Sequence, residues 1–396
     1  MYKVGSIGLS YMYNLFTQEV KGDNNEEFNQ LRTNSNRLKI LRKTLENYGG
    51  ALSKVSQMLM YDDHSDSIFT ECKPFSREKT KIYLENYVRD NILTYTVEDE
   101  IYKSGSMGQV HIGSLNNNKI AVKVQYTGLY EETEEDIKVL NMLVNCLYFF
   151  GDFSESMEYV KMKLYEELDY INESKNHRLI SKIWKNSNIY IPKIYDKLCT
   201  TKILVTEFVD GENFSMFIQN ANQKTKNKIA YDLVNFIFTN IFKHKIFYSD
   251  NHYGNLIVKD KDTLSVIDFG CLNFIEDDIV VYIKALFLAV KVEDKQSVIQ
   301  ILTDLEILNE KVSEESKEYA YEYFKLHFLP WVVEEEFEFT QEWFEKFDYK
   351  NIKLIKEWEV PRNFIYFNKI PHGLFHLLTA LKAKCNFYKI FNDILK

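Results

Sequence analysis

Residues that break or staple a backbone are scarce in this 396-residue chain: it has 5 Pro, 14 Gly and 5 Cys. The cysteines, Cys72, Cys146, Cys199, Cys271 and Cys385, form no C-x-x-C pair. That argues against a disulfide framework or a cysteine zinc site and fits an intracellular reducing compartment. An excess of basic residues is also missing. Lys and Arg total 49 against 58 Asp and Glu, for a net charge of −9. A surface built mainly for nucleic acid is not expected from that balance. Long apolar runs are absent as well. Residues 279–292 and 141–150 are short or interrupted by Lys284 and Lys291, and neither can span a bilayer unbroken. The N-terminus has no basic segment leading into an apolar core, so neither a signal peptide nor a transit peptide is expected.

What the chain does have is apolar mass. Hydrophobic residues make up 45%, with 28 Phe and 27 Tyr, enough for a sizeable core. Leucines at 31, 38, 41, 45 and 52 recur near helical spacing and predict a helix over 26–60. Ser76 caps a predicted helix over 77–91. Residues 97–126 switch to strands, with turns at 104–106 and 116–118. Helices are predicted over 131–150 and 154–185, strands over 189–195 and 202–208, and a helix over 225–246. A hairpin and further helices run to the end. This order predicts an α+β chain with a small β-containing lobe and a large helical one.

The sharpest motif is Asp250, with Asn255 five residues on and Asp268-Phe269-Gly270 after it. Those are the working parts of a phosphotransfer site. The first Asp orients or deprotonates an attacking hydroxyl, and Asn255 and Asp268 hold Mg2+ on the ATP phosphates. Magnesium takes oxygen ligands and only one or two protein carboxylates, so one Asp and one amide oxygen suit it. Between them, 256–258 and 264–267 read as two strands around a turn at 259–262. Ile120-Ala121-Val122-Lys123-Val124 is an apolar strand with one lysine, of the kind that contacts α- and β-phosphates. A snorkelling surface lysine is the bland alternative. Ser104-Gly105-Ser106-Met107-Gly108-Gln109 joins two strands with small residues, so backbone N–H groups could approach phosphate. An ordinary hairpin turn is the alternative there. Glu207 and Val209 end a strand at which backbone groups could read an adenine edge. Cys271 is read as buried and inert, with a reactive thiol beside ATP as the alternative. His372 and His376 read as structural.

Together these residues resemble the UbiB/AarF/ADCK family of atypical protein-kinase-like proteins. The likeness rests on Lys54-Val55-Ser56-Gln57 for a K-x-G-Q helix, Ser106 to His111 for an S-x-G-Q-V-H loop, Lys123-Val124-Gln125-Tyr126, and Glu167-Leu168-Asp169-Tyr170 with Glu173 after it. The C-terminal stretch 370–391 also looks like the family's tail. The resemblance covers residues 40–395. It implies a two-lobed kinase-like fold with a helical extension (1–95), an N-lobe with inserted helices (96–210) and a helical C-lobe (211–396). It makes Lys123 the phosphate lysine, Glu167 its acidic partner and Asp250 the base. It also makes Lys54, Gln57 and Asp169 a gating set folded over the site, with Asp169 partnering Lys54. A groove closed in that way implies a small or lipid-like substrate or ATP hydrolysis, in support of lipid or isoprenoid-quinone metabolism, with a membrane surface as partner. The chain departs from the pattern at Tyr248, where the family has His, at Gly105, where it has Ala, and at Ser56, Asn251 and Tyr253. A pseudokinase that binds nucleotide as an interaction module is the first alternative. A small-molecule kinase of the aminoglycoside or choline type is the second. The sequence does not reveal an oligomeric state.

Overall fold

In the computed structural model, the residues described are 95–105, 107–126, 128–146, 161–162, 164–347, 357–358 and 365–396. The chain divides into two units. One comprises 1–175 with 193–208, the other 176–192 with 209–396. Residues 176–192 thus belong with the second unit.

The first unit is built on an antiparallel sheet of β1 (Tyr95–Ser104), β2 (Gly108–Leu115), β3 (Asn118–Gln125) and β4 (Ile203–Glu207), in that order. Strand β3 alternates by the pleat. Ile120, Val122 and Val124 are buried, while Ala121 and Lys123 share the half-buried opposite face. The β2–β3 turn places Asn116 and Asn117 at φ 50° and 66°. Both lie in the left-handed region that a two-residue hairpin needs and that Asn tolerates. Gly108 is sterically required. A Cβ there would lie 2.4 Å from the Val124 carbonyl oxygen and 2.8 Å from the Tyr170 hydroxyl. Helix α1 (Leu129–Cys146) follows the sheet.

The predicted helix over 154–185 is broken. The chain turns at Leu168 and Asp169, and α2 (Tyr170–Ile183) starts afresh. Asp169 Oδ1 accepts the Ile171 N–H at 2.9 Å, an N-cap bond that fixes this start. The predicted strand over 189–195 is reduced to isolated bridges at Tyr190 and Ile194. Pro192 sits between them and cannot donate to a ladder.

The second unit is mostly helical. It runs through β5 (Glu212–Asn213), α3 (Phe214–Asn220) and α4 (Gln223–His244). Strand β6 (Ile246–Tyr248) leads to β7 (Leu256–Lys259), β8 (Thr263–Val266) and β9 (Leu272–Phe274). There follow α5 (Asp277–Lys291), α6 (Lys295–Asp304), α7 (Glu314–Val332), β10 (Phe337–Glu338), α8 (Gln341–Phe344), α9 (Ile365–Ala380), β11 (Lys384–Cys385) and α10 (Phe387–Leu395). Helix α4 is N-capped by the Asn222 side chain on the Thr225 N–H, and Lys245 ends it in the left-handed conformation at φ 57°. Its apolar face, including Leu233, Phe236 and Ile237, is buried. The hairpin read from sequence forms as β7 and β8. They pair Leu256 with Val266 through Lys259 with Thr263, and Asp260 and Lys261 turn the chain at positive φ. Residues 176–192 join this unit because Tyr190 exchanges backbone hydrogen bonds with Leu264 and Val266, and the His177 ring meets Phe269 edge-on at 4.8 Å. Strand β9 and the β10–β11 pair were not foreseen, being two or three residues long.

Candidate active site

In the first unit, the pleat of β3 aims Lys123 off the apolar face. Its Nζ donates to both carboxylate oxygens of Glu173, at 3.0 and 2.9 Å. Glu173 is buried at 5% side-chain exposure and Lys123 is 26% exposed. The Tyr170 ring lies 5.0 Å from Nζ. Tyr170 and Glu173 are three apart on α2 and so share a face. The expected partner Glu167 is corrected to Glu173. Glu167 lies in the helical turn before the break at Asp169, whereas the helix that presents a carboxylate to Lys123 starts after it. Burying a lysine without such a pair would be costly, which removes the snorkelling alternative.

The β1–β2 turn is tight. Gly105 N–H donates to the Gly108 carbonyl at 2.8 Å, Tyr126 O–H donates to the Gly105 carbonyl at 3.1 Å, and Tyr126 N–H donates to the Met107 carbonyl. Met107 is buried. Gln109 was expected among the nucleotide contacts, but its side chain is 2% exposed and its Nε2 lies 3.0 Å from His111 Nε2. His111 Nδ1 in turn lies 3.1 Å from the Glu98 carbonyl oxygen. Ser104 pairs with Gln109 in the ladder. Ala121 lies two residues from Lys123 on the same face of β3. The Glu207 N–H is taken by the Lys193 carbonyl at 2.7 Å, so a base edge would have to meet its carbonyl. Ser106, Lys54 and Gln57 lie outside the described residues.

In the second unit, Asp250, Asn255 and Asp268 sit on loops held by short strands. Asn255 Nδ2 donates to both the carbonyl and Oδ2 of Asp250, each at 3.1 Å. The amide nitrogen donates to Asp250, which leaves Asn255 Oδ1 as the atom able to face a cation. His252 braces the loop, with Nε2 3.3 Å from Asp250 Oδ2 and Nδ1 accepting the Gly254 N–H at 3.0 Å. The Ile267 N–H donates to the Asn255 carbonyl at 3.1 Å, tying the two motifs together through the hairpin. Asp268 Oδ1 accepts the Gly270 N–H at 3.0 Å. Phe269 is fully buried, and the Asn176 amide donates to its carbonyl at 3.0 Å. Val209 is buried in this unit. Cys271 is buried, in keeping with an inert thiol. Just upstream, burial pushes the Tyr248 phenol well above its ordinary range, and the Asp268 and Asp250 charges add to the shift.

Among the described residues no group of three or more His, Cys, Asp or Glu could hold a metal. One carboxylate and one amide oxygen are instead the sparse oxygen donors that suit Mg2+ carried on a phosphate ligand. Of the paired histidines, His372 is buried against Tyr323 and His327, while exposed His376 stacks on Tyr253. No helix among the described residues is long and apolar enough to cross a membrane.

The chain is similar to known proteins. The ABC1 atypical kinase-like domain matches residues 67–302, more than half of the chain. A probable serine/threonine-protein kinase of Dictyostelium discoideum, abkA, is 26% identical over 267 residues, covering 60% of this chain and 47% of that protein. The Arabidopsis thaliana chloroplastic protein Activity of bc1 complex kinase 7 is 30% identical over 246 residues, covering 59% and 35%. The zebrafish (Danio rerio) mitochondrial atypical kinase COQ8B is 24% identical over 284 residues, covering 67% and 45%. The chain thus spans half or less of the length of these relatives. Among solved structures, the Rv3197–erythromycin complex from Mycobacterium tuberculosis has a TM-score of 0.69 at 18% identity and covers 94% of this chain and 98% of that one. The fold is kinase-like, and the chain belongs to the ABC1 atypical kinase-like family, the UbiB/AarF/ADCK group that its motifs resemble.

Proposed function

We propose that the chain is a magnesium- and ATP-dependent enzyme that transfers phosphate to a small or lipid-like acceptor or hydrolyses ATP. The observation that carries this reading is the two-pronged Lys123–Glu173 pair, an ammonium fixed on a sheet strand. A lysine so held is pre-organised as a phosphate contact. In this reading Lys123 steadies the α- and β-phosphates. Asp250 orients the attacking hydroxyl or water and takes its proton, with Asn255 and His252 holding the carboxylate in place. Asp268 and the Asn255 amide oxygen would hold magnesium, which when bound would offset the charge on the phosphate oxygens. The acceptor class rests on the Lys54, Gln57 and Asp169 resemblance. The same resemblance motivates a lipid surface as partner.

The test is ATP turnover by the purified chain with magnesium, with and without anionic lipid vesicles, alongside Mg-ATP thermal-shift titration. Wild type is expected to turn over and to be stabilised by Mg-ATP. Asp268→Asn, which removes the charge facing the metal, is expected to lose at least 100-fold in turnover, a loss on the scale of one electrostatic contact in a transition state. Equal turnover and equal stabilisation in the variant would rule out the role given to Asp268.

A further inference from the structure

Tyr248 stands where the family pattern has a histidine, two residues before Asp250. It ends β6, and β6 pairs with β9 so that Tyr248 faces Leu272, just past Asp268-Phe269-Gly270. The ring cannot move aside. It is 1% exposed, with Phe236 edge-on at 5.4 Å and Phe269 at 6.1 Å. Phenylalanine would fill the same slot, so the hydroxyl is the part of the side chain with chemistry.

That hydroxyl is buried without a hydrogen bond of good geometry among the described residues, and the Asn255 side chain is its hydrogen-bonding neighbour. The Asn255 amide also donates to the carbonyl and Oδ2 of Asp250, each at 3.1 Å, so its contact with the phenol is a shared one. The charges that bear on the hydroxyl are those of Asp268 and Asp250. A buried donor that is poorly paired is destabilising. Residues behind a metal's direct ligands commonly orient them by such hydrogen bonds.

We propose that Tyr248 is a positioning residue of the metal site, its hydroxyl donating a hydrogen bond to the oxygen shell gathered by Asn255 and Asp268 when magnesium and nucleotide are held. The proposal rests on the nucleotide reading above. A phenol donates one hydrogen bond from a fixed ring, as the imidazole N–H of the family pattern would.

The test compares the full chain with Tyr248→Phe and Tyr248→His. Thermal-shift titration with ATP is run with magnesium and with EDTA, and Mn2+ binding in the presence of ATP is followed by electron paramagnetic resonance. Tyr248→Phe is expected to melt at or above the wild-type temperature, since it removes a poorly paired donor. It is expected to bind ATP in EDTA as wild type does, and to bind Mg-ATP and Mn2+ about tenfold more weakly. Tyr248→His is expected to recover most of that loss. Wild-type metal affinity in Tyr248→Phe would overturn the proposal and leave the nucleotide reading standing. A Tyr248→Phe chain without a cooperative melt would overturn it as well, by making the hydroxyl a folding group. A wild type whose ATP binding gains nothing from magnesium would overturn the nucleotide reading and the proposal together.

Discussion

Lys123 and Glu173 form a pair whose members explain each other. The strand buries one edge of a lysine, and the start of α2 supplies the carboxylate that makes this tolerable. Two residues acting as one unit should not add. Lys123→Met and Glu173→Gln are each expected to cut ATP turnover at least tenfold, and the double variant to be little worse than the poorer single. Losses that multiply instead would show that Glu173 does not act through Lys123. The two glycines of the β1–β2 turn separate by the same logic. Around Gly105 the nearest atom to an added Cβ is 3.5 Å away, ordinary contact distance, so the family's alanine fits. Gly105→Ala is expected to leave stability unchanged or raise it by about 0.4–1 kcal/mol through the unfolded chain. Gly108→Ala would drive a Cβ to 2.4 Å from a carbonyl oxygen and is expected to cost roughly 1–3 kcal/mol or more. Urea unfolding of both variants checks the pair. The motif residues stand out in the sequence because their types and spacing are specific. Glu167 was mistaken for Glu173 because both follow within one acidic stretch, and only the helix start at Tyr170 decides which reaches the lysine.

At the level of elements, the hairpins were legible and the breaks were not. Asn116-Asn117 and Lys259 to Asp262 carry turn chemistry in their residue types, and both turns form. The break at Asp169 depends on a single side-chain cap, and the lost strand around Pro192 on one missing N–H. Neither outweighs the apolar periodicity on either side when the chain is read alone. Helices α7 and α9 meet through a buried polar knot that periodicity does not reveal. His327 Nδ1 bonds to the Tyr323 carbonyl at 2.9 Å, and His372 Nε2 lies 3.4 Å from the Tyr323 hydroxyl. Burial pushes His327 down to about 3, with His372 beside it contributing, and burial alone pushes His372 down to about 4. Both stay neutral in the folded chain while the unfolded chain protonates near 6.5. Stability should therefore be intact above pH 6.5. As pH falls toward 4 it should be lost, at up to about 1.4 kcal/mol per pH unit for each histidine. Urea midpoints at pH 7, 6 and 5 test this, and a slope unchanged in His327→Phe would remove His327 from the account.

For the whole molecule, the proposed function turns on the class of acceptor. The chain's charge of −9 gives no general attraction for acidic partners, and its family resemblance places Lys54 and Gln57 in an extension over the site. Asp169 is the expected partner of Lys54. It already caps α2 through Oδ1, and α2 carries the Glu173 that holds Lys123. A lysine bound to the same carboxylate would thus couple the extension to the phosphate lysine through one short helix start. The expectation is that wild type does not phosphorylate a generic basic or acidic protein in trans. Lys54→Ala is expected to release the restraint. Asp169→Asn should do the same while keeping a side-chain oxygen for the cap, so its stability should stay near wild type. Asp169→Ala should lose cap and charge together, with about 1 kcal/mol of destabilisation. A radiolabelled transfer assay on both proteins, run beside urea unfolding of the three variants, separates capping from restraint. Strong transfer by wild type would show that the acceptor groove admits protein, and the small-acceptor reading would fail. Transfer that rises in Lys54→Ala but not in Asp169→Asn would give the lysine a different partner.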